Sequence, residues 1–181
     1  MGAKGVKFEI IQFPGARVIG KTTTVKEPTT LDDVTATDLL ERMNKDGHYK
    51  FLLGLLNKFA QNADTVGWQG DFIPNDASYI YLAGVMFKPD AAFSDGYKHR
   101  DIAACEMAVA WISECEGDEG GDVFADASGN LANARSEHRY EYDGSNGFFE
   151  MECYSEKRFY VPKSQGKNII LDFYSPCKKA E

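Results

Sequence analysis

The repeated order of predicted elements constrains the fold of this 181-residue chain more than any other feature of its sequence. Phe13 and Ile102 hold similar places in two opening strands and lie 89 residues apart. Tyr79 and Ile169 hold similar places in two closing strands and lie 90 residues apart. Matched elements at a nearly constant offset are typical of internal duplication. The sequence therefore predicts two similar halves, with a ligand groove between them.

Each half is predicted to run strand, helix, strand, strand. The first helical region is predicted to begin near Thr35 or Thr37, with Thr35 and Asp38 spaced as in a capping box, and a break is expected near Gly47. The second is weaker and places Val123 and Leu131 on one face. Alternating or β-branched and aromatic residues predict strands at 6–20, 78–87, 101–112, 148–161 and 168–177.

This order predicts an α+β fold, in which an antiparallel sheet carries helices on one face and a central ligand groove. The single domain would cover residues 1–181, with repeats at about 6–90 and about 95–178. Pro14 and Gly15 should bend or bulge the first strand, and Pro176 should end the last one. After the break in the first helical region, its apolar face is expected to resume at helical spacing through Phe51, Leu52, Leu55, Leu56 and Phe59.

Charge and composition exclude several classes of partner. The chain has 28 acidic and 20 basic residues, a net charge of −8, which repels phosphate backbones and predicts no nucleic-acid partner. The absence of a long apolar stretch or a signal-peptide core predicts a cytoplasmic protein without a membrane partner. In that location Cys105, Cys115, Cys153 and Cys177 should be free thiols. They form no CxxC pair, so neither a metal nor a cofactor is predicted.

Four short stretches carry a resemblance to a known family. They are FPGARVIG, DIAACEMAV, Glu152-Cys153-Tyr154 and LDFYSP. In order and spacing they resemble the GyrI-like small-molecule-binding domain, the fold also found as the effector-binding module of AraC- and MerR-type multidrug regulators. Ala103 and Met107 replace a proline and a tyrosine of the family pattern. The resemblance covers nearly the whole chain, and since it begins at Val6 a stand-alone module without a helix-turn-helix is expected.

The resemblance also points to two carboxylates. Asp172 lies four positions before Pro176, where the family usually has a pocket glutamate, and its shorter side chain reaches less far. Glu152 belongs to the E-x-Y stretch. A carboxylate on the floor of an aromatic cleft can pair with a ligand cation while rings stack on the ligand. Alternatively, desolvation makes it a general base that activates water.

Strand alternation supplies the other candidate site residues. Asp172 shares a face with Tyr174, and Glu152 shares a face with Tyr154, so both pairs converge if both faces line the groove. The structural alternatives for Glu152 are a salt bridge to Arg158 or a place on a solvated sheet face. Further ligand-binding candidates are the rings of Trp68, Tyr81 and Trp111, with core packing as the alternative for the tryptophans.

Three functions are open on these grounds. The leading one is a stand-alone small-molecule-binding protein that captures planar hydrophobic or cationic compounds. The second, implied by the resemblance, is a hydrolase that detoxifies electrophilic, cyclopropane-bearing genotoxins, with Glu152 or Asp172 positioning or deprotonating a water. The third is a regulatory module that binds a protein partner. Because the first closing strand has Leu82 where the second has Asp172, the groove is predicted to be asymmetric.

Overall fold

The computed structural model describes residues 4–26, 35–55, 64–73, 75–93, 95–113, 123–124, 127–147 and 149–181. The strands are β1 Lys4–Phe13, β2 Ala16–Lys26, β3 Thr65–Ile73, β4 Ser78–Phe87, β5 Lys98–Ile102, β6 Cys105–Ser113, β7 Tyr140–Tyr142, β8 Phe149–Tyr154 and β9 Ile170–Lys179. The helices are α1 Ala36–Lys45, α2 His48–Gly54, α3 Ala127–Glu137 and α4 Val161–Ser164, and a π-helical turn spans Glu156–Tyr160. Antiparallel pairing of these strands, together with the helices, confirms the α+β class.

The chain folds into two compact units, and each unit draws on separate stretches of the sequence. Unit 1 comprises Met1–Pro14, Ala104–Ser145 and Glu150–Glu181. Unit 2 comprises Gly15–Ala103 and Asn146–Phe149. Each unit therefore contains an opening strand from each half of the sequence: β1 and β6 belong to unit 1, and β2 and β5 belong to unit 2.

Both opening strands are interrupted, so the single strands predicted at 6–20 and 101–112 are wrong. The first is divided by Pro14, which cannot donate to a strand ladder, and by Gly15, whose φ of +87° is accessible to glycine. The second is divided between Ile102 and Cys105. Both interruptions lie where the chain passes from one unit to the other, which is why the flanking strands have different partners.

Unit 1 is an antiparallel sheet with strands in the order β1, β6, β9, β8. The short strand β7 pairs with the end of β9. The helix α3 packs on this sheet through the buried Ala127 and Leu131, and Val123 is buried in the turn before it. The apolar face predicted in the second half is therefore confirmed for the residues within α3, but Val123 lies outside the helix, which begins at Ala127.

Unit 2 is an antiparallel sheet with strands in the order β3, β4, β2, β5. The capping box predicted at Thr35 and Asp38 is present, and α1 and α2 are separated at Gly47, as expected. Both helices cover one face of the sheet, where the buried core contains Ile19, Leu39, Met43, Tyr49, Leu52, Tyr81, Ala83, Val85 and Phe87. The bounds predicted for β4 are confirmed. Of the apolar face predicted after Gly47, Leu52 is buried but Phe51 is exposed, and Leu56 and Phe59 lie outside the described residues.

The last two predicted strands need correction. The strand expected at 148–161 ends at Tyr154, because the carbonyl oxygen of Ser155 accepts hydrogen bonds from the amides of Phe159 and Tyr160, at 2.8 and 3.2 Å, and this closes the π-helical turn. The last strand continues past Pro176 to Lys179, because β7 pairs with its end. The carbonyl oxygen of Pro176 accepts a hydrogen bond from the amide of Asp143 at 3.1 Å.

None of the helices in the described ranges has the length and apolar character that a membrane span requires. Cys105, Cys153 and Cys177 are free thiols, while Cys115 lies outside the described residues. Burial, reinforced by nearby carboxylates, raises the pKa of the Cys177 thiol to about 11. Cys177 therefore stays protonated, and unreactive as a nucleophile, at neutral pH.

Candidate functional site

Asp172 is the central feature of one face of unit 1. It lies in the middle of β9 and is 0% exposed, with Trp111 of β6 and Cys153 of β8 as its Cα partners. Directly opposed residues of antiparallel strands point to the same side, so Asp172, Trp111 and Cys153 share a face, which Tyr174 joins by alternation. The opposite face, which carries Phe173, packs against α3.

Arg158 reaches this carboxylate from the π-helical turn. Its Nε donates a hydrogen bond to Oδ1 of Asp172 at 2.9 Å, and its Nη2 donates to Oδ2, so the guanidinium binds both oxygens. The pair is unequally buried, since the side chain of Arg158 is 41% exposed and that of Asp172 is 1% exposed. The hydrogen bonds to Asp172 raise the pKa of Arg158, outweighing the opposite effect of its burial. Such bidentate pairs combine charge with fixed geometry.

Two cations lie near the ring of Trp111. The guanidinium carbon of Arg158 is 5.9 Å from the ring centroid, and Nζ of Lys7 is 4.4 Å from it. Trp111 is only partly buried, unlike Trp68, which is 4% exposed. A tryptophan face attracts cations through its quadrupole, so this ring and the Asp172 carboxylate form one environment suited to positive charge.

The strand register separates the two predicted carboxylates. Glu152 has Phe173 as its Cα partner, one residue away from Asp172, so its side chain points to the α3 face of the sheet. The expected convergence of both carboxylates and both tyrosines on one surface of unit 1 is therefore corrected: Asp172 and Tyr174 occupy one face, and Glu152 and Tyr154 the other. Arg158, the predicted structural partner of Glu152, pairs with Asp172 instead.

Glu152 lies within an aromatic cluster, which we define as Phe124, Tyr154, Phe159 and Tyr160. The hydroxyl of Tyr154 donates a hydrogen bond to Oε2 of Glu152, and both residues are buried. The ring centroids of Tyr154 and Phe159 are 4.9 Å apart in an edge-on arrangement. Phe124 and Tyr160 are exposed, so the cluster connects the buried carboxylate region to the surface.

The two remaining predicted residues belong to unit 2 and lie on opposite faces of its sheet. Tyr81 is 1% exposed and packs in the core beneath α1 and α2. Trp68 has Leu82 as its Cα partner, so it points away from that core, where its ring stacks on Phe149 at 6.1 Å. Arg100 also lies over this ring, with its guanidinium carbon 5.3 Å from the centroid. The structure does not bring Trp68 and Tyr81 together, and the groove predicted between the halves stays a prediction.

Other features of unit 1 lie apart from these residues. A groove of about 400 Å³ between β1 and α3 is lined by Phe8, Ala110, Asn130, Asn133, Glu137 and His138, among others, and none of the predicted site residues lines it. Within the described part of the chain, no three histidine, cysteine, aspartate or glutamate side chains are grouped as a metal site requires.

Glu150 is a third carboxylate that sequence reasoning did not select. The hydroxyl of Ser128 donates a hydrogen bond to its Oε2 at 2.6 Å. Burial raises the pKa of Glu150, although the hydrogen bond from Ser128 and the charge of Arg135 partly oppose this effect. Alternation places Glu150 on the same face as Glu152, and the packing of α3 over that face leaves Glu150 half-buried.

We expect Glu150→Gln to change how stability depends on pH. A carboxyl whose pKa is raised in the folded state stabilises that state below its unfolded pKa, and this contribution is lost as the pH rises through the folded value. The variant should therefore gain stability relative to the wild type as the pH increases from about 4 to 7. Urea unfolding across this range measures the difference, and Glu41→Gln on the exposed side of α1 is the control. A difference that is independent of pH would contradict the expectation.

Comparisons with known proteins show what the fold resembles. No family model matches the chain, and no curated protein matches it. Among solved structures, SAV2435 bound to tetraphenylphosphonium has a TM-score of 0.61 at 13% identity, covering 96% of this chain and 94% of that one. The structure of a protein named "putative bacterial transcription regulation protein", from Staphylococcus aureus MU50, has a TM-score of 0.59 at 13% identity, covering 96% of this chain and 99% of that one. The C-terminal domain of EcmrR has a TM-score of 0.58 at 10% sequence identity, covering 96% of this chain and 98% of that one.

These likenesses concern the fold. At identities of 10–13% the shared property is the arrangement of strands and helices over nearly the whole chain. They confirm the GyrI-like fold predicted from the sequence. The function of this chain depends on its own residues, because one fold supports many functions.

Proposed function

We propose that this chain is a small-molecule-binding protein, and that its ligand lies against the Asp172 face of unit 1. The buried carboxylate of Asp172 is the observation that carries the proposal. Removing a carboxylate from water costs several kcal/mol, and an ion pair with Arg158 often only offsets that cost. An apolar side chain would fill the same position in the sheet at no such cost. A carboxylate here is therefore better explained by a ligand than by stability.

The ligand class follows from the surroundings of this carboxylate. Trp111 offers a partly exposed aromatic face, and Tyr174 lies on the same side of β9 as Asp172. Aromatic faces beside a carboxylate favour planar hydrophobic compounds and, above all, cationic ones. In the similar structure of SAV2435, that protein is bound to tetraphenylphosphonium, a hydrophobic cation. We therefore propose hydrophobic compounds, including cationic ones, as the ligands.

Titration calorimetry with tetraphenylphosphonium and a planar cationic dye tests this proposal. Saturable binding is expected, and Trp111→Leu should weaken it by about tenfold, since one cation–ring contact contributes about 0.5–2 kcal/mol. The control is Tyr140→Leu, which changes an aromatic residue of β7 in the same unit. Failure of every compound to bind, or equal loss in the control, would contradict a site at Trp111.

A second candidate, the hydrolase, is supported by the aromatic cluster around Glu152. A carboxylate in an apolar setting is a better general base than one held by arginine, so Glu152 is the preferred catalytic candidate and Asp172 is not. Product formation from a cyclopropane-containing electrophile should then be lost in Glu152→Gln and retained in Asp172→Asn. Turnover that is unaffected by Glu152→Gln would exclude this mechanism. The partner-binding module stays a prediction.

A further inference from the structure

We infer that Arg158 determines the charge preference of this site, because it is a tethered cation that competes with cationic ligands for Asp172. This inference rests on the proposed function and deepens it. In the structure the guanidinium of Arg158 already occupies the position beside Asp172 that a ligand cation would take. A cationic ligand must displace Arg158 from the carboxylate, whereas a neutral ligand need not.

The geometry makes the competition direct. Arg158 binds both oxygens of Asp172, and its guanidinium carbon is 5.9 Å from the centroid of the Trp111 ring. The carboxylate and the ring are the two groups that would attract a hydrophobic cation. Arg158 contacts both of them, so a ligand cation and the guanidinium cannot hold the same contacts at once.

Arg158 is also placed so that it can leave. Its side chain is 41% exposed, so the displaced guanidinium can turn into water without unfolding β9. It comes from the π-helical turn Glu156–Tyr160, outside the strand ladder, and such turns often occur at functional sites. Asp172, by contrast, is held within β9 between β6 and β8. The carboxylate is therefore the fixed partner and the guanidinium the exchangeable one.

Two ions of nearly equal shape and opposite charge test the inference, namely tetraphenylphosphonium and tetraphenylborate. We expect Arg158→Gln to bind tetraphenylphosphonium about tenfold more tightly than the wild type does, because the ligand then no longer competes with a partly exposed ion pair. The same variant should bind tetraphenylborate more weakly, because the carboxylate is then no longer neutralised. Adding Asp172→Asn to Arg158→Gln should abolish the gain in affinity for tetraphenylphosphonium.

Arg100→Gln is a matched control in unit 2. Arg100 pairs with Asp71 and lies over Trp68, much as Arg158 pairs with Asp172 near Trp111. Arg100→Gln should leave the affinities for tetraphenylphosphonium and for tetraphenylborate unchanged. If Arg158→Gln does not fold, Arg158→Lys keeps the charge but loses the bidentate contact, and it should give a smaller gain of the same sign.

The outcomes separate the inference from the proposed function. Suppose that the wild type binds tetraphenylphosphonium and that Arg158→Gln, or Arg158→Lys where that variant is used, binds it no more tightly. This result would overturn the role of Arg158 and leave the proposed function standing. An equal gain in Arg100→Gln would overturn it too. If neither ion binds to the wild type or to any variant, the proposed function fails and the inference fails with it.

Discussion

Replacing Gly84 with alanine is expected to lower the free energy of unfolding by about 3 kcal/mol or more, as overpacking against immovable atoms does. Gly84 and Gly20 are Cα partners in the β2–β4 pair. A Cβ atom at Gly84 would lie 2.1 Å from the carbonyl oxygen of Ile19 and 3.0 Å from Cα of Gly20. These are backbone atoms, which no rotamer change can move, so the strands would have to separate.

Urea unfolding followed by circular dichroism measures this effect, with Gly54→Ala as the control. Gly54 lies at the end of α2 in the same unit, and nothing is within 4 Å of a Cβ atom built there. The control should leave the unfolding midpoint unchanged or raise it slightly, because alanine restricts the unfolded chain. Equal midpoints for Gly84→Ala and the wild type would show that β2 and β4 do not approach as closely as the structure has them.

Local chemistry explains which elements could be predicted from the sequence. The capping box at Thr35 and Asp38 depends on residues three positions apart, and β4 depends on its own aromatic and β-branched content. Both were predicted correctly because no distant residue decides them. The opening strands were not, since the apolar pattern of 6–20 continues across Pro14 and Gly15 while the strand partners change there.

Strand register explains why the candidate site was predicted only in part. Alternation shows which residues share a face within β8 or within β9, but not which face of one strand joins which face of the other. A shift of one residue exchanges the faces, and the pairing of Cys153 with Asp172 places Glu152 on the opposite side. Alternation does not identify Arg158 as the partner of Asp172, because Arg158 lies in a π-helical turn at a place where the sequence predicts a strand.

The pair of Arg158 and Asp172 should be dispensable for stability when both residues are replaced together. Arg158→Met alone is expected to lower the free energy of unfolding by about 3 kcal/mol, because it removes the counter-ion of a buried carboxylate. This is the lower end of the range for buried pairs, since Arg158 is 41% exposed and water can reach the site once it is gone. Urea unfolding at neutral pH measures the loss.

Adding Asp172→Leu to Arg158→Met should recover most of that stability, since apolar pairs often replace buried ion pairs without cost. Leucine is the residue that β4 has at Leu82, which is 0% exposed in unit 2 and lies 90 residues before Asp172. The double variant should fold yet bind tetraphenylphosphonium more weakly than the wild type. A double variant no more stable than Arg158→Met would mean that the sheet requires the carboxylate itself, and ligand binding would then not be needed to explain why Asp172 is buried there.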